Sequence, residues 1–247
     1  MTGYLQVMIE RLRLYDAAAP VIAHLLKDTG GRQIVDLCSG SGGPWPGLLA
    51  RIAADGVDAH IVLTDLVPAH HDPAGLDGHP AITYHPASVS ALDVPAELPG
   101  LRTMFTALHH FGPEQVREIF VAAQRDNVPF AAFEATARSL RGLLTVMAVP
   151  LLVLWLMPRV ESAHPLALLL TYLPPILPLM IGWDGVASTF RSHTEDELRE
   201  LVDGISEPGY RWTVRRQGVR GLPVKVLQVV GQPKRAAVDI EGKGRSS

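Results

Sequence analysis

The residues Ile34-Val35-Asp36-Leu37-Cys38-Ser39-Gly40-Ser41-Gly42-Gly43-Pro44 constrain this chain more than any other stretch. A short β-branched apolar run ends in an acid, passes through small residues and meets Pro44-Trp45-Pro46, where a helix is expected to start. Strand, tight turn and helix start, in that order, form the crevice in which open α/β sheets bind ligands. Glycine there permits positive φ and lets a ligand approach the backbone with no Cβ in the way. A second strand-like run, Ala59-His60-Ile61-Val62-Leu63-Thr64-Asp65, also ends in an acid. Asp65 lies roughly 20 residues beyond the glycines, where such folds place a carboxylate that grips ribose hydroxyls.

The 247 residues suffice for one α/β domain, expected over residues 1–232, followed by a charged, small-residue tail at 233–247 expected to be disordered. Lys and Arg total 22 against 25 Asp and Glu, a formal charge of −3, so the electrostatic footprint of nucleic-acid binding is missing. The one cysteine, Cys38, excludes an internal disulfide framework and a cysteine-based zinc site, and reads as a small buried turn residue. Met1-Thr2-Gly3-Tyr4 lacks the basic-then-apolar layout of a signal peptide, which leads to an expectation of a cytoplasmic protein.

Apolar spacing predicts a helix over Tyr4 to Lys27, broken or restarted at Pro20 and ended by Asp28-Thr29-Gly30-Gly31. A short helix is expected over Gly47 to Ala54. Pro68-Ala69-His70-His71-Asp72-Pro73 is too broken for a long helix. Three further strands are expected at Ala81 to His85, Arg102 to Leu108 and Pro129 to Glu134, with a helix over Glu114 to Gln124. Thr194 and Glu197 form a capping box that opens a helix to Ile205. Two last strands, Tyr210 to Arg216 and Val224 to Val230, make an antiparallel edge hairpin. The alternation predicts a mostly parallel sheet covered on both faces.

The exception to this rhythm lies between Gly142 and Trp183. No charge occurs from Gly142 to Pro158 or from Pro165 to Trp183; Arg159, Glu161 and His164 mark the break. Each run is near the lower limit for crossing a bilayer, and Pro150, Pro174, Pro175 and Pro178 oppose straight spans. Two readings stay open. One is a hydrophobic hairpin dipping into one leaflet on the inner face of the membrane; the other is a buried helix pair that covers a cleft or forms a homodimer core. Either makes the neighbouring substrate site apolar.

The pattern apolar-apolar-Asp36-x-x-x-Gly40-x-Gly42 resembles the first motif of class I S-adenosylmethionine-dependent methyltransferases, with Cys38 where that family usually has another glycine. A dinucleotide fingerprint does not call for the acid and spaces its glycines differently, which disfavours an oxidoreductase. The resemblance implies a Rossmann-like seven-stranded sheet with an antiparallel last strand, the cofactor S-adenosyl-L-methionine and methyl transfer to a small acceptor. Carried over by motif, Asp36, Ser39, Gly40 and Gly42 line the cofactor loop, Asp65 holds the ribose and Leu66 packs on adenine. Ser88 and Val89 stand where the family has an acid and a small residue, so a serine hydroxyl is expected to make the adenine hydrogen bond and Val89 to cover the ring. Thr106-Ala107-Leu108-His109-His110-Phe111 is similar to the family's leucine-histidine-histidine segment, which brings Ala107 beside the methionine part.

Chemistry on a hydroxyl or acidic carbon calls for a proton acceptor. His110, His109 and Glu134 are the candidates, because the carboxyl ends of parallel strands form the crevice. No third ligand at motif spacing accompanies the histidine pair, whose adjacent side chains are expected to point apart, so no metal site is expected. Trp183-Asp184-Gly185 and Arg191 either close the acceptor pocket or are ordinary turn and helix-approach residues. From the apolar insert an apolar acceptor is expected: a lipid, isoprenoid or polyketide-like compound. The rival reading is a membrane-associated scaffold that keeps the cofactor fold without catalysis.

Overall fold

The computed structural model describes residues 8–40, 42–68, 79–136, 138–157, 165–222 and 224–234. Seven strands form one sheet: β1 (Gln33–Asp36), β2 (His60–Leu63), β3 (Ile82–Tyr84), β4 (Leu101–Phe105), β5 (Phe130–Glu134), β6 (Tyr210–Gly218) and β7 (Lys225–Pro233). Their order is β3-β2-β1-β4-β5-β7-β6. β1 to β5 pair in parallel, while β7 runs antiparallel to both β5 and β6. The closing hairpin therefore sits at the edge as expected, with its second strand inserted beside β5.

Side chains alternate across this sheet with period two, and each face buries its own core. Ile34, Ile61, Leu63 and Phe133 pack on one face with Ile22, Leu25, Leu26, Leu48 and Ile52 of the helices α1 (Ala18–Thr29) and α2 (Trp45–Ala54). Val35, Met104, Phe130 and Ala132 pack on the other with Val116, Ile119 and Phe120 of α3 (Pro113–Arg125). At about 1.5–3 kcal/mol for each large side chain fully buried, these two layers dominate the stability. Pro113 at the start of α3 supplies no N–H where none would be bonded.

Among the described residues the apolar insert forms four helices where two were expected: α4 (Leu140–Met147), α5 (Val149–Leu156), α6 (Pro165–Tyr172) and α7 (Ile176–Arg191). Pro150 in the first turn of α5 and the pair Pro174-Pro175 divide the runs, because proline cannot donate to the preceding turn. Among the described residues no single helix is long and apolar enough to cross a membrane; α6 and α7 pass that test only together, bent by 77°. α7 packs on α4, α5 and α6. A Cβ added at Gly182 would come within 2.7 Å of Pro150 Cγ, and one at Gly185 within 2.7 Å of Val146 Cγ1, so these two glycines set how closely α7 approaches its neighbours. Asp184 and Gly185 lie inside this helix, not in the turn considered above.

The capping box forms as expected at the start of α8 (Glu195–Asp203): Glu197 N–H donates to Thr194 Oγ1 at 3.2 Å, and Thr194 N–H to Glu197 Oε2 at 2.8 Å. The N-terminal helix differs. It restarts at Ala18, with Pro20 in its first turn, after a break in which Arg13 takes a left-handed φ of 50°. The expected broken stretch after Pro68 and the tail beyond Lys234 lie outside the described residues.

Candidate active site

The strand order reverses between β1 and β4, and the carboxyl ends of these two strands carry the candidate residues. Residues after β1 form a run of left-handed backbone: Cys38 at φ 56°, Gly40 at 52°, Gly42 at 101° and Gly43 at 55°. Cys38 thus adopts the conformation for which glycine is the usual choice. A Cβ built at Gly40 would meet nothing within 4 Å, so the space beside this backbone is open.

The loop is tied to the end of β2. Gly40 N–H donates to Asp65 Oδ2 at 2.9 Å, Val67 N–H donates to Asp65 Oδ1 at 3.0 Å, and Ser39 N–H donates to Thr64 O at 2.9 Å. Ser39 is buried, its Oγ donating to Asp36 O at 2.7 Å and accepting from Thr64 N–H at 3.1 Å. Leu66 and Val67 follow as an exposed apolar pair. Ser88 Oγ donates to Leu66 O at 2.6 Å, and Val89 N–H donates to Asp65 O at 2.9 Å with its side chain buried. Ser41 lies outside the described residues. The structure therefore gathers Ser39, Gly40, Gly42, Asp65, Leu66, Ser88 and Val89 around one end of the sheet.

Asp36 sits below that loop at 1% exposure. Thr103 Oγ1 donates to its Oδ1 at 2.7 Å, because parallel register places Thr103 opposite Asp36. The buried Trp45 indole N–H faces the same carboxylate without closing to hydrogen-bond geometry. Loss of water pushes the Asp36 carboxyl up to about 6, against the opposing effect of Thr103 and its other donors. Burial also pushes the Cys38 thiol up to about 12, with Asp65 and Asp36 adding to the shift.

Across the switch point, β4 ends at Phe105 and gives way to a 3-10 turn, Leu108–His110. The expected strand thus stops before Ala107, which is buried. The turn corrects the expectation that the two histidines point apart: their ring centroids lie 4.2 Å from each other. His109 is buried and its Nδ1 lies 3.3 Å from both Oε1 and Oε2 of Glu134, which is 2% exposed at the end of β5. Thr136 Oγ1 donates to Glu134 Oε1 at 2.7 Å, and Ser192 Oγ lies 2.6 Å from Thr136 Oγ1, linking the carboxylate to the C-cap of α7. His110 is exposed, and its imidazole pKa is lowered first by partial burial and then by His109. His109, His110, Arg117, Arg138, Arg191 and His193 line a cleft of about 670 Å³, so Arg191 reaches the same region.

Several participants escape sequence reasoning. Tyr15 is buried, its hydroxyl hydrogen-bonded to Thr106 Oγ1 and its ring edge-on to Phe105 at 5.1 Å. The Arg13 break turns it inward, and no breaker residue in the sequence signals that break. Thr103, Thr136 and Ser192 become visible only once the strand pairing and the α7 end are known.

No protein-family model matches the sequence, and no curated protein matches it. Solved structures do. The chain superposes on the plantazolicin methyltransferase BamL, determined with a triazolic desmethylPZN analog and SAH, at a TM-score of 0.58 and 9% identity, covering 94% of this chain and 91% of BamL. An O-methyltransferase family protein from Burkholderia thailandensis matches at a TM-score of 0.49 and 16% identity, over 90% of this chain but only 57% of that one. The fold assignment rests on the first of these together with the strand order. This chain has the Rossmann-like fold of the class I methyltransferases.

Proposed function

We propose that this chain is an S-adenosylmethionine-dependent methyltransferase acting on a hydroxyl or acidic carbon of a small apolar acceptor. The observation that carries the reading is the hydrogen bond from Gly40 N–H to Asp65, which joins the left-handed loop after β1 to the acid after β2 within a sheet of this order. S-adenosylmethionine supplies an activated methyl group on a sulfonium. Open space beside Gly40 and a carboxylate already oriented by two backbone donors fit such a ligand. Asp65 accepts from ribose hydroxyls, the exposed Leu66 offers an apolar surface to adenine, and Ser88 retains acceptor capacity on its hydroxyl oxygen. Asp36, Ser39 and Gly42 shape the loop, and Ala107 borders the methionine end.

His109 is the proton acceptor of this proposal. In the tautomer with hydrogen on Nδ1, the ring donates to Glu134 and presents Nε2 with a free lone pair. Glu134 fixes that tautomer and stabilises the imidazolium formed when the acceptor gives up its proton. His110, on the cleft side, contacts the acceptor. Alignment of the acceptor with the methyl group and exclusion of water supply the remaining acceleration.

Calorimetry with S-adenosylhomocysteine against NADH tests the cofactor assignment directly. Labelled methyl transfer from S-adenosylmethionine into extracts of small apolar compounds tests the reaction. Preference for the dinucleotide overturns the proposal, and cofactor binding without turnover on any acceptor favours a non-catalytic scaffold.

A further inference from the structure

Sixteen large apolar side chains are exposed among the described residues, and fourteen of them fall between Leu140 and Phe190, on α4 to α7 and the turn between α6 and α7. A typical monomer's largest apolar patch covers only about 300–600 Å², so this surface needs a covering. The helices bury little among themselves; Val153 anchors one small cluster with Val149, Leu152, Ile181 and Met8.

The chemistry of the surface selects what covers it. Three hydroxyls on these helices are already satisfied by backbone carbonyls: Thr171 donates to Ala167 O at 2.6 Å, Thr189 to Gly185 O at 2.9 Å and Tyr172 to Leu154 O at 2.7 Å. No charge occurs from Pro165 to Trp183. A specific protein interface carries about one hydrogen bond per 100–200 Å² and needs groups that fix its register, which this stretch does not present. Hydrocarbon needs none.

The turn between α6 and α7 adds a second, independent observation. Leu173, at 76% exposure, stands at its apex beside Pro174 and Pro175, which have no N–H. Leu173 N–H donates to Leu169 O at 2.7 Å, and Ile176 N–H donates to Pro174 O at 2.8 Å. From Leu173 to Ile176 no N–H is left unpaired. Water imposes no such condition on an exposed turn, but a lipid interior does. The 77° bend makes the feature a vertex, whereas a protein partner docks on a broad face.

We propose that the α6–α7 vertex inserts into the acyl region of a lipid leaflet and that the acceptor reaches the cleft beside His109 and His110 from that leaflet along α7. The second half rests on the function proposed above. Exposed Ile176, Leu179, Met180, Trp183 and Phe190 follow helical spacing along one side of α7. That helix, about 24 Å long at 1.5 Å per residue, ends at Arg191 in the cleft and at Ser192, which is bonded toward Glu134 through Thr136.

Co-sedimentation of the full chain with phosphatidylcholine vesicles, with and without phosphatidylglycerol, tests the docking. Binding to pure phosphatidylcholine is expected, and Leu173→Asp with Leu179→Asp should lower the partition coefficient at least about tenfold. Unchanged melting and unchanged S-adenosylhomocysteine affinity identify that loss as docking. Should the double variant unfold, quenching of wild-type tryptophan emission by brominated phosphatidylcholine decides: quenching supports insertion and its absence overturns it. A wild type that ignores both vesicles, or that forms a concentration-dependent dimer in their place, overturns the proposal in favour of water or a second copy. Vesicle binding by a protein that fails to bind S-adenosylhomocysteine leaves the docking standing and overturns the acceptor route alone.

Discussion

His109 Nδ1 lies 3.3 Å from each carboxylate oxygen of Glu134, and both side chains are buried at the adjoining ends of β4 and β5. A carboxylate in this position is held by Thr136 Oγ1 and, weakly, by His109 N–H at 3.4 Å. The pair has the form of a base with its orienting partner. Glu134 itself accepts from protein donors, which is why the proposed mechanism gives the proton-accepting role to the imidazole and the orienting role to the acid.

His109→Gln is therefore expected to lower kcat by about 100-fold or more, while S-adenosylhomocysteine affinity stays near that of the wild type. Glu134→Gln should lower kcat in the same direction, since the amide no longer stabilises the imidazolium. His110→Ala should act mainly on KM. Normal turnover in both the His109 and Glu134 variants, measured with the natural acceptor, leaves positioning alone to account for the catalysis.

Asp65 is the proposed link between fold and cofactor, since its two oxygens already hold Gly40 and Val67. Asp65→Ala removes a charged acceptor and releases the loop, so S-adenosylmethionine should bind more weakly by about 1.5–3 kcal/mol. Titration calorimetry reads this directly. An unchanged affinity in a folded variant removes Asp65 from the site.

Asp36 makes a prediction about stability. Its folded value, about 6, exceeds the ordinary aspartate value of about 4, so the folded state holds the proton more tightly than the unfolded chain. Stability is accordingly lost as pH rises from about 4 to 6, and the ionised group is a net burden above that range. Asp36→Asn retains an acceptor for Thr103 Oγ1 and removes the titration. The variant-minus-wild-type unfolding free energy should rise across that window, by at most about 3 kcal/mol. A difference curve flat from pH 4 to pH 7 refutes the buried-carboxylate account.

The alternation of strands with helices and the two acids at strand ends were legible because each depends on local signals: β-branched runs, glycines and the Asp36–Gly40–Gly42 spacing. Thr194 and Glu197 announced their helix for the same reason. The insert was legible as apolar but not as four helices, since composition says nothing about how prolines divide a run whose packing is set by Gly182 and Gly185 against Pro150 and Val146. Tyr15 was hidden for a different reason. Its place depends on a left-handed Arg13, an arginine with no intrinsic preference for that conformation, and on Thr106, just past the end of β4 and far away in sequence. Long-range pairing, not local propensity, assembled the Asp36–Thr103 and His109–Glu134 contacts.

Cys38 gives the last prediction, because its backbone and its thiol respond to different replacements. Its φ of 56° is one that a side chain disfavours by about 1–2 kcal/mol, while the half-buried thiol packs against the second core layer. Cys38→Gly relieves the backbone but loses that packing and adds freedom to the unfolded chain, so its net effect should stay within about 1 kcal/mol. Cys38→Val places a β-branched residue at the same φ and should destabilise by more than about 2 kcal/mol. Denaturant midpoints at constant m separate the two. The thiol, pushed up to about 12 by burial and the nearby carboxylates, should resist iodoacetamide at pH 8 in the folded protein and react once the chain is unfolded. Equal destabilisation by glycine and valine would show that side-chain packing, and not the left-handed turn, dictates the residue at this position.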